Sequence, residues 1–173
     1  HIHNTPYTGI VCSGRTHWDR KGSGQCSANI RWDEVEALLG SDYNMTAWHA
    51  PDRWRSDWLR REPLMHSRGN RIEFNDIHHV MEMMGDGNGI YISGAGGANE
   101  VRGNVVHDCA SPSFAEGIRC DDDQHDTLIE GNLIYHLGGL ATGITIKGVN
   151  VIRNNVIAAP LPETTGRGLI SLE

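Results

Sequence analysis

Gly89-Ile90-Tyr91-Ile92-Ser93-Gly94 is a six-residue phrase that the chain repeats. It returns as Gly117-Ile118-Arg119-Cys120-Asp121-Asp122 and as Gly143-Ile144-Thr145-Ile146-Lys147-Gly148. A looser copy is Gly168-Leu169-Ile170-Ser171-Leu172-Glu173, and an earlier one is Gly9-Ile10-Val11-Cys12-Ser13-Gly14. From Gly89 onward the starts lie 28, 26 and 25 residues apart. A nearly fixed period of that length marks stacked structural repeats.

A second phrase keeps step with the first. It reads Asn75-Asp76-Ile77-His78, then Asn104-Val105-Val106-His107, Asn132-Leu133-Ile134-Tyr135 and Asn155-Val156-Ile157-Ala158. Each period thus carries two short β-branched runs with alternating apolar positions, separated by Gly and Asn, which is the pattern of strands. The expected fold is all-β: a right-handed parallel β-helix in which each coil buries its apolar face against the next. The four Asn should stack their amides inside the turns.

Residues 15–68 break the period. We read 1–173 as a fragment of one β-helix domain, with 15–68 inserted between coils and regular coils over 70–173. Within the insertion, Trp32–Leu39 has helical apolar spacing and is closed by Gly40. All five Trp lie in the insertion, at positions 18, 32, 48, 54 and 58. Their flat indole faces suit stacking on sugar rings, with Trp48 and Trp54 as candidates, but they also suit a small core of the insertion's own. The chain starts inside one coil and stops inside another, so further domains are expected in a longer protein, as is an extracellular or periplasmic location.

Charge narrows the partners. Residues 15–71 hold ten Lys and Arg against eight acids, whereas the rest holds five against fourteen. Acidic coils disfavour nucleic acid, whose phosphates need a basic face. No run of ~18 apolar residues is present, so no membrane-spanning helix is expected. Cys12 and Cys120 fall at inward positions, where they act as small apolar groups. Cys26 and Cys109 lie in connections, and their pairing is not set by the sequence.

Alternation decides which side chains face out. Ile90, Ile118 and Ile144 point inward, as do Ile92, Cys120 and Ile146. Tyr91, Arg119 and Thr145 then form one outward column, and Ser93, Asp121 and Lys147 the next. With parallel coils ~4.8 Å apart, Asp121 falls between Ser93 and Lys147 and near Arg119. The run Asp121-Asp122-Asp123 with His125 and Asp126 is a solvated turn, a reactive cluster or a calcium site, since hard cations take carboxylate oxygens. Asp86 sits between glycines before the Tyr91 strand, and Glu116 enters the next strand at a similar edge. His3, His78, His107 and Tyr135 share one repeat position and should stack. His79, Asp108 and His136 share the following one.

The phrase Asn70-Arg71-Ile72-Glu73-Phe74-Asn75-Asp76-Ile77-His78-His79-Val80, followed by Asp86-Gly87-Asn88-Gly89-Ile90-Tyr91, resembles the right-handed β-helix glycoside hydrolases. It is closest in style to glycoside hydrolase family 141, where Gly-Ile-Tyr-x-Asp-Glu follows about one coil later. Here that second phrase reads Gly117-Ile118-Arg119-Cys120-Asp121-Asp122, with Arg119 in place of an aromatic residue. The resemblance implies cleavage of a poly- or oligosaccharide by paired carboxylates and no obligatory cofactor. Asp121 suits the nucleophile or base, and Asp86 or Asp122 the acid, with Glu116 as a further partner. Tyr91, Arg119, Lys147, Glu116, His79, Trp48 and Trp54 would contact sugar. Asp86 and Asp121 pair only if the chain folds back near Gly87–Gly89. The alternatives are a polysaccharide lyase or uronate epimerase using Lys147, Arg119 and Tyr91, and a carbohydrate-binding β-helix without turnover.

Overall fold

A computed structural model describes residues 1–14, 32–40, 58–60, 62–111, 113–122, 124–138, 140–158 and 169–172. Trp48, Trp54, Cys26 and Asp123 lie outside the described residues. The strands in chain order are β1 (Ile2–His3), β2 (Ile10–Ser13), β3 (Arg71–Glu73), β4 (Asp76–His78), β5 (Gly87–Ser93), β6 (Asn99–Arg102) and β7 (Val105–Cys109). They continue as β8 (Phe114–Asp121), β9 (Thr127–Glu130), β10 (Leu133–Leu137), β11 (Leu140–Ile146), β12 (Val151–Arg153), β13 (Val156–Ala158) and β14 (Ile170–Leu172).

Every third strand joins the same sheet. The first sheet runs β1-β4-β7-β10-β13, the second β2-β5-β8-β11-β14, and the third β3-β6-β9-β12. All pairings are parallel. The result is a three-sheet parallel β-helix whose inward side chains meet at the axis. Ile77, Ile90, Ile92, Val106, Ile118, Cys120, Ile129, Ile134 and Ile144 are fully buried in that core. Cys12, Cys109 and Cys120 are free thiols, and burial pushes the Cys109 and Cys120 thiols up to about 12, so both stay protonated and inert.

The Asn ladder forms as the repeat implies. Asn75 Nδ2 donates to Asn104 Oδ1 at 2.9 Å, Asn104 to Asn132 at 2.9 Å and Asn132 to Asn155 at 2.8 Å. Backbone N–H groups of Asn75, Asn104 and Asn132 donate to the same oxygens. The ladder therefore satisfies backbone groups that a turn would otherwise leave unpaired in the interior. A shorter ladder, Asn70 to Asn99 at 2.8 Å, lies at another corner. His3, His78, His107 and Tyr135 stack with centroids 4.8 to 5.1 Å apart. The next residues, His79, Asp108 and His136, take φ values of 51°, 47° and 49°, the left-handed turn between the first and second sheets. Asp and His tolerate that region better than most residues do.

The strands of the second sheet begin earlier than the repeat suggests, and a glycine column explains why. A Cβ on Gly117 would lie 2.8 Å from Ile134 Cγ2 and 2.7 Å from the Gly143 carbonyl oxygen. Gly117 therefore faces the core, and so does Ile118 beside it. Two successive inward residues break the alternation, and the strand bends there. Gly89 and Gly143 occupy the same place against Val106 and Ile157.

Part of the segment between β2 and β3 is described. Trp32–Leu39 forms helix α1, as its spacing implies. Gly40 closes it with φ +92°, its N–H donating to the Glu36 carbonyl at 2.9 Å. Trp58 and Met65 are buried. Trp58 packs on His125 at 5.1 Å, and Glu62 accepts the Gly97 N–H at 3.0 Å. These contacts lie on the turns after β5 and β8. Among the described residues, no helix is long and apolar enough to cross a membrane.

Candidate functional site

The outward face of the second sheet carries the ionic cluster. Registers place Tyr91 beside Arg119 and Ser93 beside Asp121, and Arg119 beside Thr145. The two outward columns are therefore those that alternation implies. Most of this face is withdrawn from solvent: Asn88, Ser93, Glu116, Arg119, Thr142 and Thr145 are buried, while Tyr91, Asp121, Asp122 and Lys147 keep partial exposure.

Asp121 is the hub. Its Oδ1 lies 2.6 Å from Lys147 Nζ and accepts the Asp122 N–H at 2.9 Å. Its Oδ2 accepts the Tyr91 hydroxyl at 3.2 Å and lies 3.1 Å from Arg119 Nε, an ion pair off the hydrogen-bond axis. Burial acts to raise the Asp121 carboxyl, but the Lys147 hydrogen bond and the Arg119 charge outweigh it and hold the group below the usual carboxylate range. Asp121 is thus kept ionised. Burial raises the Tyr91 phenol, and the Asp121 and Asp122 carboxylates add to that, so Tyr91 stays a neutral donor.

Asp122 takes a different set of partners. It receives the Ser93 hydroxyl and, at 3.4 Å, the Tyr91 hydroxyl. One phenol oxygen touches both carboxylates, at 3.2 and 3.4 Å, so the two lie side by side on this face. Asp122 also sits at φ +52°, at the column that Gly94 and Gly148 occupy at +53° and +84°. A left-handed residue with a Cβ in a glycine column is mild local strain, and such strain concentrates at functional sites.

Glu116 joins from the far side of the bend. Arg119 Nη1 donates to Glu116 Oε1 at 2.8 Å. With its nitrogen facing the carboxylate, the Asn88 amide donates to Oε2 at 2.6 Å. Strict alternation would put Glu116 and Arg119 on opposite faces; the inward pair Gly117 and Ile118 puts them on the same one. Asn88 was not among the sequence candidates, although it precedes Gly89 as Glu116 precedes Gly117. Ser93 likewise shares the Asp121 column.

Other candidates lie apart. Asp86 is exposed in the turn before β5, and its carbonyl accepts the Tyr7 hydroxyl at 2.7 Å. The cluster's hydrogen bonds and ion pairs described above run through Glu116 and Asp122, and β5 runs from Gly87 to Ser93 as one strand, so the fold-back on which a pairing of Asp86 with Asp121 depends does not occur there. His79 belongs to the first sheet's corner, its Nδ1 2.8 Å from His78 Nδ1. The acidic run is not one solvated turn either. His125 is buried and its Nδ1 accepts the Val149 N–H at 2.9 Å, while Gln124 Oε1 accepts the Ala95 N–H at 2.7 Å. Only Asp121 and Asp122 of the run face the cluster among the described residues.

No curated protein and no solved structure matches the chain. A family model described as a right handed beta helix region matches residues 64–160, more than half of the chain. With three parallel sheets wound coil on coil and the Asn ladder between them, the chain belongs to the right-handed β-helix family.

Proposed function

We propose that the protein is a glycoside hydrolase acting on a poly- or oligosaccharide, with Asp121 as the ionised nucleophile or base and Asp122 as the proton donor. The β-helix fold is consistent with carbohydrate-active proteins. The observation that carries the reading is at Tyr91: two neighbouring carboxylates share one hydroxyl, and Asp121 is held ionised by Lys147 and Arg119. A glycosidase needs one carboxylate held ionised and a second able to carry a proton. Glu116 meets the first condition but not the second, since Arg119 and the Asn88 amide both favour its anion. Its role is to hold the guanidinium in place beside Asp121. The finer likeness to glycoside hydrolase family 141 rests on the Asp86 and Asp121 phrases alone.

The lyase or epimerase reading asks Arg119 and Lys147 to receive a uronate carboxylate. Both already face carboxylates of the protein, so a uronate must displace Glu116 or Asp121 first. The test is a panel of neutral and uronate-containing glycans, read for new reducing ends and for the ultraviolet absorbance of unsaturated products. Hydrolysis predicts reducing ends without the chromophore. Asp122→Asn should then slow cleavage of natural linkages by roughly 100-fold or more, and far less for aryl glycosides whose leaving group needs no proton. Unsaturated products, or equal slowing on both substrate types, would overturn the assignment.

A further inference from the structure

The first sheet carries a second cluster, far from the sugar chemistry in kind. Its register pairs Ile2 with Ile77 and His3 with His78, which sets His1 beside Asp76. Ile77 is fully buried, so its neighbours on β4, Asp76 and His78, face outward, and His1 and His3 face outward with them. His1 Nδ1 lies 2.9 Å from Asp76 Oδ2. The ligand atoms of His1, Asp76 and His78 all fall within 4.8 Å of one another.

We propose that His1, Asp76 and His78 form a binding site for a borderline divalent transition-metal ion, with zinc as the type. Two imidazoles and one carboxylate match the three protein ligands of open zinc sites, in which water takes the fourth position. The same set is poor for calcium and magnesium, which take oxygen ligands. Ligands ~2.0–2.1 Å from a tetrahedral ion stand about 3.4 Å apart. The observed separations need only small side-chain movements to reach that.

The surroundings orient these three groups as an outer shell does. Asp76 Oδ1 is held by His107 Nε2 at 2.9 Å, and His107 Nδ1 by Asp108 Oδ2 at 2.7 Å. Asp108 Oδ1 in turn faces His136 Nδ1 at 3.2 Å. The other oxygen of Asp76 is the one turned to His1. His78 Nδ1 meets His79 Nδ1 at 2.8 Å, which leaves Nε2 for a metal. The His78 ring is also clamped between His3 and His107, at 5.1 and 5.0 Å. Outer-shell hydrogen bonds of this kind fix tautomer and ring direction and raise affinity.

Stacking alone does not account for the set. Tyr135 continues the ring stack on His107 at 4.8 Å without an imidazole. The column that holds His1 and Asp76 continues as Val105, Leu133 and Val156, which carry no ligand atoms. Donors thus concentrate on β1 and β4. A metal there would tie β1, a strand of two residues, to the next coil.

The experiment is calorimetric titration of the whole chain with zinc chloride, with cobalt as the spectroscopic probe. One saturable zinc equivalent is expected, and cobalt should show intense tetrahedral d–d absorption. Asp76→Asn and His78→Gln should each weaken zinc binding roughly tenfold or more. His136→Gln, three hydrogen bonds from the nearest ligand, should change it far less. Circular dichroism confirms that each variant keeps its β signal. Absence of saturable binding to the unaltered chain, octahedral cobalt spectra, or undiminished affinity in both ligand variants would overturn the site.

Discussion

Two kinds of column run along this β-helix, built on the same register but from opposite choices of residue. At the turn into the first sheet, Asn75, Asn104, Asn132 and Asn155 repeat one side chain on every coil, and each amide bonds the next. On the second sheet, Ser93, Asp121 and Lys147 succeed each other at one position, and Tyr91, Arg119 and Thr145 at another. A column of like residues satisfies the backbone and locks coil to coil. A column of unlike residues gathers a hydroxyl, a carboxylate and a cation within hydrogen-bond reach on a rigid surface. The first column sits at a turn and satisfies its backbone, whereas the second sits on strands whose backbone is already paired, so its side chains are left for other roles.

The contrast can be broken at the Asn ladder first, where the largest stability effect is expected. Asn104 is fully buried; its amide donates to Ile72 O and Asn132 Oδ1, and its oxygen accepts from both nitrogens of Asn75. Asn104→Ala leaves several buried partners unmatched and should cost roughly 3–5 kcal/mol, at ~1–3 kcal/mol per orphaned group. Asn155, at the half-exposed end of the same ladder, should cost well under half of that when changed to Ala. Chemical denaturation checks both. Equal losses would mean that position along the ladder does not matter.

A smaller effect is expected from acid. Asp121 has its folded carboxyl lowered, so its ion pairs contribute stability that is fully present above the unfolded value of ~3.9. That contribution is lost as pH falls through the folded value. The unaltered protein should therefore lose stability more steeply than Asp121→Asn as pH drops below about 4. Parallel acid limbs would mean that Lys147 and Arg119 do not hold Asp121 ionised.

Much of this was legible in the sequence, and the reasons for the rest are physical. Period and alternation give the parallel coil stacking and two of its three strands per coil, the Asn ladder, the ring stack over His3, His78, His107 and Tyr135, and the neighbours of Asp121; the third strand of each coil lies outside both repeated phrases and is not read from them. Alternation fails where it is locally broken. Gly117 and Ile118 both turn inward, and this brings Glu116 to Arg119 against the two-residue period. The left-handed φ of Asp122 carries its carboxylate to Ser93 and Tyr91, which no periodic pattern announces. His125 looks like part of an acidic surface run but is drawn under Trp58, a residue 67 positions earlier. Short-range patterns carry no information about contacts made across an insertion.

The most direct measurement is turnover and thermal unfolding of Asp121→Asn, on a glycan that the unaltered protein cleaves. The side chain faces outward and the amide is of similar size, so the β-helix should remain and sugar binding should persist. Turnover should fall by about a thousandfold or more, as loss of a nucleophile or base does. Turnover within tenfold of the unaltered protein, with the fold intact, would contradict the assignment of Asp121 and leave the unlike columns without a catalytic role.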